Sequence, residues 1–174
     1  VGCDETGRIS GFVFDGIFNT GAYASWGPTV ANRVPIHASG PYATKDYRAN
    51  SIAVHTNAPP AGAFRGFGVP QSAVAQECAF DLLAEKLGMD RLAFRRLNAL
   101  KNGVPTVTGQ VFNSGVGIDD CFAALEDSWQ TAVASAASFN QTAISDDSPW
   151  RRGVGIASCW YGCGNTSLPN PSTM

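Results

Sequence analysis

Charge is scarce in this sequence. Asp, Glu, Lys and Arg supply 15% of its 174 residues, and the net charge is −2. Its Lys/Arg clusters are the pairs Arg95–Arg96 and Arg151–Arg152, so there is no concentrated basic face and nucleic acid is excluded as a partner. So little charge solvates a surface poorly, and much of this surface is expected to lie under other protein. Long apolar runs are also missing. None approaches the ~20 residues that a membrane helix needs, and no secretory leader pattern opens the chain. The five cysteines, Cys3, Cys78, Cys121, Cys159 and Cys163, include no Cys-x-x-Cys pair, which leaves a zinc site unsupported. Their odd count argues against a secreted disulfide framework. They read as reduced thiols, and a cytoplasmic location is expected. The two histidines, His37 and His55, have no partner at metal-ligand spacing and read as structural. Glu77, Glu85 and Glu126 read as solvated helix faces, and no Ser-His-Asp or Cys-His arrangement can be built.

What is present suits a globular α+β chain: 44% hydrophobic residues, no repeats and no low-complexity tract. Both ends, "VGCDETGRISG" and "SLPNPSTM", read as cut from the interior of a longer polypeptide. "GRISGFVFDGIFNTGAYASWG" predicts a strand or hairpin, with Phe12, Phe14 and Ile17 near period two. Pro35, Pro41, Pro59 and Pro60 exclude a long helix across residues 30–62; within that stretch "NSIAVHTN" predicts a short strand, and the proline pair follows it. "PQSAVAQECAFDLLAEKLG" predicts a helix with Pro70 in its first turn, Val74, Cys78, Leu82 and Leu83 on one apolar face, and Gly88 as the stop. Asp90 suits the N-cap of a second helix running toward Gly103. A third helix starts near Asp119 or Asp120. "NQTAISDDSP" reads as a loop, and "WRRGVGIASCWYG" as a buried strand.

The unusual stretch is "GAFRGFGVPQ", Gly62 to Gln71. Glycines allow positive φ angles and close backbone approach. Amides just ahead of a helix can meet an anion. Arg65 offers a forked cation, and Phe64 and Phe67 offer two flat walls. The spacing fits neither a Walker loop nor the dinucleotide fingerprint. Against this stands a plainer reading, a tight turn with two core phenylalanines and a surface arginine. A second candidate is "WYGCGNTS", Trp160 to Ser167, with small and hydroxyl-bearing residues suited to a pocket rim, or simply a polar loop.

"AFRGFGVPQ", its helix and "GMDRLAFRRLNALKNG" together resemble the molybdopterin-binding large subunit of the xanthine dehydrogenase and aldehyde oxidase family of molybdenum hydroxylases. "GRISGFVFD", "RVPIHASGPY" and "RRGVGIASCWYGCG" extend the likeness over most of the chain. The resemblance implies that Ala63, Phe64 and Arg65 lie against a molybdenum–molybdopterin cofactor, in the cytosine dinucleotide form if the source is bacterial. Arg65 would act chiefly through its backbone. Phe67 would stack on substrate, while Arg33 and Thr166 fall near substrate-binding positions, although "WYGCGNTS" departs from the family pattern around Thr166. It implies residues 1–104 in a first cofactor-binding domain, 105–149 as a connecting segment with one helix, and 150–174 as the start of a second such domain. It further implies oxidation of an aldehyde or an N-heteroaromatic, purine-like small molecule with oxygen from water. Iron–sulfur clusters, and a flavin in some members, sit on other domains or subunits. The family's glutamate base lies in the remainder of the large subunit, so this stretch alone is expected to hold no cofactor tightly and to turn nothing over. Two other readings stay open: a non-catalytic structural or interaction domain that keeps the turn, and a generic phosphate-binding module.

Overall fold

A computed structural model describes residues 1–162. A small three-stranded sheet is covered on one face by helices. Its strands are β1 (Gly2–Cys3), β2 (Ile9–Gly21) and β3 (Asp46–His55), in the order β1-β2-β3, with β1 antiparallel and β3 parallel to β2. Parallel neighbours need a crossover, and α1 (Gly27–His37) supplies it. The helices α2 (Val69–Leu87), α3 (Arg91–Asn98) and α4 (Ile118–Ser145) follow. Phe12, Tyr42, Phe80, Leu92, Phe94, Phe122 and Trp129 meet in the core. Among the described residues, no helix is long and apolar enough to cross a membrane.

The fold is α+β, with three differences from the sequence expectations in the β2–α1–β3 region. Ile17 lies out of phase with Phe12 and Phe14, so it occupies the uncovered face, directly opposite the exposed Ile52. β3 begins at Asp46, ahead of "NSIAVHTN", and ends at His55, inside it. An 11-residue helix, α1, forms although it contains Pro35. A proline inside a helix leaves the carbonyl four residues earlier without its donor. Here that carbonyl, on Ala31, accepts from Ser51 Oγ at 2.8 Å, and the carbonyl of Pro35 itself accepts from Tyr47 Oη at 2.5 Å. Both donors come from β3, so the sheet satisfies what the proline leaves open.

α2 starts with Pro70 in its first turn and ends at Gly88, as the pattern predicts. Its buried face, however, is not the apolar one expected. Val74 and Leu82 are 66% and 68% exposed, and Cys78 is exposed too. Leu83 does pack against the core, but beside it lie buried Ser72, Gln76 and Glu77. Glu77 is therefore not on a solvated face. Its Oε2 pairs with the fully buried Arg95 of α3, whose Nε lies 2.7 Å away. Its Oε1 accepts from Tyr42 Oη at 2.9 Å and Gln76 Nε2 at 2.8 Å. Arg95 also meets Asp81 at 2.8 Å. Burial works against the Arg95 charge, but Glu77 and its other partners hold the guanidinium pKa above its usual value. The Tyr42 phenol is pushed up, by burial first and then by the Glu77 charge.

Asp90 caps α3 through Oδ1 to the Ala93 amide and holds α4 through Oδ2, which accepts from Trp129 Nε1 at 2.7 Å. α3 stops at Asn98, before Gly103, because Ala99 and Leu100 instead pair with Tyr42 and Pro41. α4 runs through Ser145, so the beginning of "NQTAISDDSP" is helix and not loop. Phe122, Trp129, Ala136 and Ala143 form one buried stripe along α4, and Ala143 extends it through a polar stretch. "WRRGVGIASCWYG" is not a strand: it has no strand partner among the described residues. It keeps strand-like alternation, with Val154, Ile156, Ser158 and Trp160 turned partly inward.

Removing one member of a buried ion pair strands the other. Glu77→Ala should lower the unfolding free energy by about 3–5 kcal/mol, measured by urea titration. A loss under ~1 kcal/mol would mean that Asp81 and water suffice for Arg95 without Glu77.

Candidate functional site

The "AFRGFG" turn is built from its flanks. At the end of β2, Gly21 (φ +74°) lets the Pro59–Pro60 pair cross closely over it. The Ala22 and Ala61 amides then bond the carbonyls of Ala58 and Thr20. The chain enters the turn already fixed to the sheet. Within the turn, the Phe67 amide donates to the Phe64 carbonyl and the Val69 amide to the Gly66 carbonyl.

The glycines serve the protein itself. Gly66 (φ +91°) would place a Cβ 2.5 Å from Pro70 Cγ, and Gly68 (φ +93°) would place one 2.7 Å from Val34 Cγ2. Close approach at these two positions is therefore to α2 and α1, where the sequence had suggested a ligand. Gly62 meets nothing nearer than Ser25 Oγ at 3.6 Å, an ordinary contact.

The turn presents main chain and rings outward. Phe64 is 84% exposed, and Phe67, itself at φ +48°, is half-buried with its ring edge-on to Trp26 at 6.1 Å. Neither ring belongs to the core cluster, so the tight-turn reading with two core phenylalanines fails. Ala63 and Arg65 are exposed. Among the described residues, the amides of Ala63, Phe64, Arg65, Gly66 and Gly68 find no acceptor.

Arg33 lies on α1, one residue before the Val34 that packs on Gly68. It is buried, donates from Nη2 to the Gly162 carbonyl at 3.1 Å and covers the Tyr161 ring at 5.1 Å. The structure thus brings Arg33's helix against the turn and ties its side chain to the start of the second candidate stretch. Thr166 lies outside the described residues. Ser158, just upstream, donates to Tyr42 Oη at 2.7 Å, linking this segment to the buried Glu77 network. Sequence reading passed over Trp26, took His37 as structural, and included Tyr161 only within the second candidate stretch. Aromatic residues flanking a candidate loop were the available signal. His55 bonds the Gly21 carbonyl through Nδ1, and no cluster of three or more potential metal ligands exists among the described residues.

A sequence profile described as the molybdopterin cofactor-binding domain matches residues 1–99. The nicotinate dehydrogenase large molybdopterin subunit of Eubacterium barkeri is 44% identical over 117 residues, covering 67% of this chain and 28% of that protein. The aldehyde oxidoreductase of Megalodesulfovibrio gigas is 34% identical over 163 residues, covering 92% of this chain and 17% of that protein. The crystal structure of the aldehyde oxidoreductase from Desulfovibrio desulfuricans superposes with a TM-score of 0.74 at 28% identity, over 78% of this chain and 15% of that one. The chain therefore spans well under a third of the length of these relatives.

Gly68→Ala should cost about 1–3 kcal/mol, because both its φ and the space beside Val34 exclude a Cβ. Gly62→Ala should stay within about 0.5 kcal/mol. Thermal or urea unfolding of the two variants separates them, and equal losses would contradict the described turn.

Proposed function

Because the chain belongs to the molybdopterin-binding subunits of the xanthine dehydrogenase and aldehyde oxidase family, we propose that its "AFRGFG" turn forms one wall of a molybdenum-cofactor site in a hydroxylase of aldehydes or N-heteroaromatic rings. The observation that carries this reading is the set of amides without an acceptor among the described residues at the exposed Ala63, Phe64 and Arg65, beside the open Phe64 ring. Oriented main-chain donors ahead of a helix suit a phosphate-bearing pterin, so the residues present fit the group. When bound, the cofactor supplies metal-centred oxidation that inserts oxygen from water into a substrate C–H bond.

In this proposal Ala63, Phe64 and Arg65 hold the cofactor, with Arg65 acting through its backbone. Phe67, braced by Trp26, stacks on a planar substrate. Arg33 and Thr166 stand on the substrate side. The likeness to a nicotinate dehydrogenase subunit supports a heterocyclic substrate, and the likeness to aldehyde oxidoreductases supports an aldehyde. We assign residues 1–104 to a first cofactor-binding domain, 105–149 to a connector and 150–174 to the start of a second. The cytosine dinucleotide form of the cofactor, iron–sulfur and flavin groups on other domains or subunits, and a cytoplasmic setting belong to the same proposal. So does the inactivity of this stretch alone.

Open apolar surface agrees with a place inside a larger subunit. Val74, Cys78 and Leu82 line the outer face of α2, and Ile17 and Ile52 the uncovered face of the sheet. Patches of this kind mark protein contacts, and the remainder of the large subunit is the proposed cover.

The test is Phe67→Ala in the complete subunit, assayed with nicotinate and benzaldehyde as probe substrates. Activity (kcat/KM) should fall about tenfold or more while the unfolding free energy changes by less than about 1 kcal/mol and molybdenum content is kept. Equal proportional losses of activity and stability would favour a structural domain instead.

A further inference from the structure

The geometry points to His37 as a positioning residue that clamps the Trp160–Gly162 segment on the substrate side of the proposed site, and does so only while its imidazole is neutral. This rests on the reading given under Proposed function for the site, but the clamp itself is read from contacts. His37 is the last residue of α1 and is buried. Its Nε2 lies 3.2 Å from the Gly162 amide nitrogen, and its Nδ1 lies 3.2 Å from the Arg33 carbonyl oxygen. Its own carbonyl accepts from Trp160 Nε1 at 3.4 Å. The ring stacks on Tyr161 at 5.6 Å and 25°, and meets Trp160 edge-on at 6.2 Å.

These partners fix the tautomer. A backbone amide can only donate, so Nε2 must carry the lone pair. The proton then sits on Nδ1 and is donated to the Arg33 carbonyl. A second proton would put an N–H on Nε2, facing the Gly162 N–H. Two donors would oppose each other, and the contact would be lost. The charged group facing the ring is Arg33 on the same helix, and the titratable group facing it from the clamped segment is the Tyr161 phenol. Burial pushes the imidazole pKa down. The hydrogen bond to the Arg33 carbonyl partly offsets this, and the Arg33 charge lowers it further.

The sign follows. The unfolded histidine titrates near ~6.5 and the folded one lower. The clamp is fully present above the unfolded value, and its stabilisation is lost as pH falls from there through the folded pKa. Arg33 reinforces it from a second direction, through the Gly162 carbonyl and the Tyr161 face. One helix end thus holds both the donor and the acceptor of a single glycine, at the point where the chain enters "GCGNTS".

Hydrogen exchange by mass spectrometry on the complete subunit, reading peptides that span residues 158–162, tests the clamp. His37→Phe keeps a ring but removes both nitrogens. It should speed exchange of the Gly162 amide about tenfold at pH 7.5, as loss of one hydrogen bond predicts. His37→Gln can still accept from that amide through its side-chain oxygen, and should restore most of the protection. In the wild type, exchange corrected for the intrinsic rate should accelerate between pH 7 and 5.5, and in His37→Gln it should not. If a molybdenum-loaded subunit turns over nicotinate or benzaldehyde, His37→Phe should raise KM about five- to tenfold with kcat within about twofold. Unchanged exchange in His37→Phe, or a wild-type profile flat with pH, overturns the clamp. If His37→Phe does not fold, the wild-type and His37→Gln profiles still decide. A subunit without molybdenum or turnover refutes the functional reading and leaves the exchange result to stand or fall alone.

Discussion

The described structure is organised around one buried carboxylate. Glu77 draws donors from separate parts of the chain: Arg95 on α3, Tyr42 in the segment between α1 and β3 and Gln76 beside it, while Ser158 in the extended segment after α4 joins the network by donating to Tyr42 Oη at 2.7 Å. A charge in that position tolerates no partial arrangement, because each missing donor leaves it more poorly solvated. The elements that carry these donors are therefore fixed relative to α2. The "AFRGFG" turn is the entry to α2, and Ser158 leads directly to Trp160–Gly162. One interior network thus links the entry of α2 to the Trp160–Gly162 segment.

A second constraint places α1 against both. Pro35 weakens the helix where Arg33 and His37 must project, and β3 repairs it through Ser51 and Tyr47. The repair also docks α1 on the sheet at a fixed height, because the accepting carbonyls and the donating side chains must coincide. Val34 is then available to pack on Gly68, and Arg33 and His37 are available to grip Gly162. The crossover helix therefore contacts both the turn and the post-α4 segment.

The sequence disclosed local features and hid those decided by partners. The cap at Asp90, Pro70 in the first turn of α2 and the stop at Gly88 depend on neighbours within a few residues, and all three are present. The inner face of α2 was misjudged because hydrophobicity marked Val74, Cys78 and Leu82, whereas Arg95, eighteen positions beyond Glu77, drew the polar side inward. α1 was hidden because its rescue comes from β3. The polar tail of α4 read as loop because only Ala143 carries the buried stripe through it. At the candidate site, composition marked the turn as unusual and its glycines as positive-φ positions, which Gly66 and Gly68 are, but could not show the protein neighbours they pack against. Gly66 and Gly68 are required by Pro70 and Val34.

That reassignment sharpens the physical picture of the site. A turn whose glycines are used up by internal packing has little freedom left, so its exposed main chain is held in place before any ligand arrives. Such fixed main-chain donors lose little entropy on binding, in contrast to long side chains that must be ordered. Phe67 is held in the same way, in a left-handed conformation that its neighbours impose and with Trp26 against its edge. The turn is therefore rigid where it would meet a cofactor, while the exposed surfaces of α2 and the sheet are open where the rest of a subunit would close over it. In the proposed site a preformed wall of this kind would supply orientation, and the opposite wall would come from elsewhere in the same assembly.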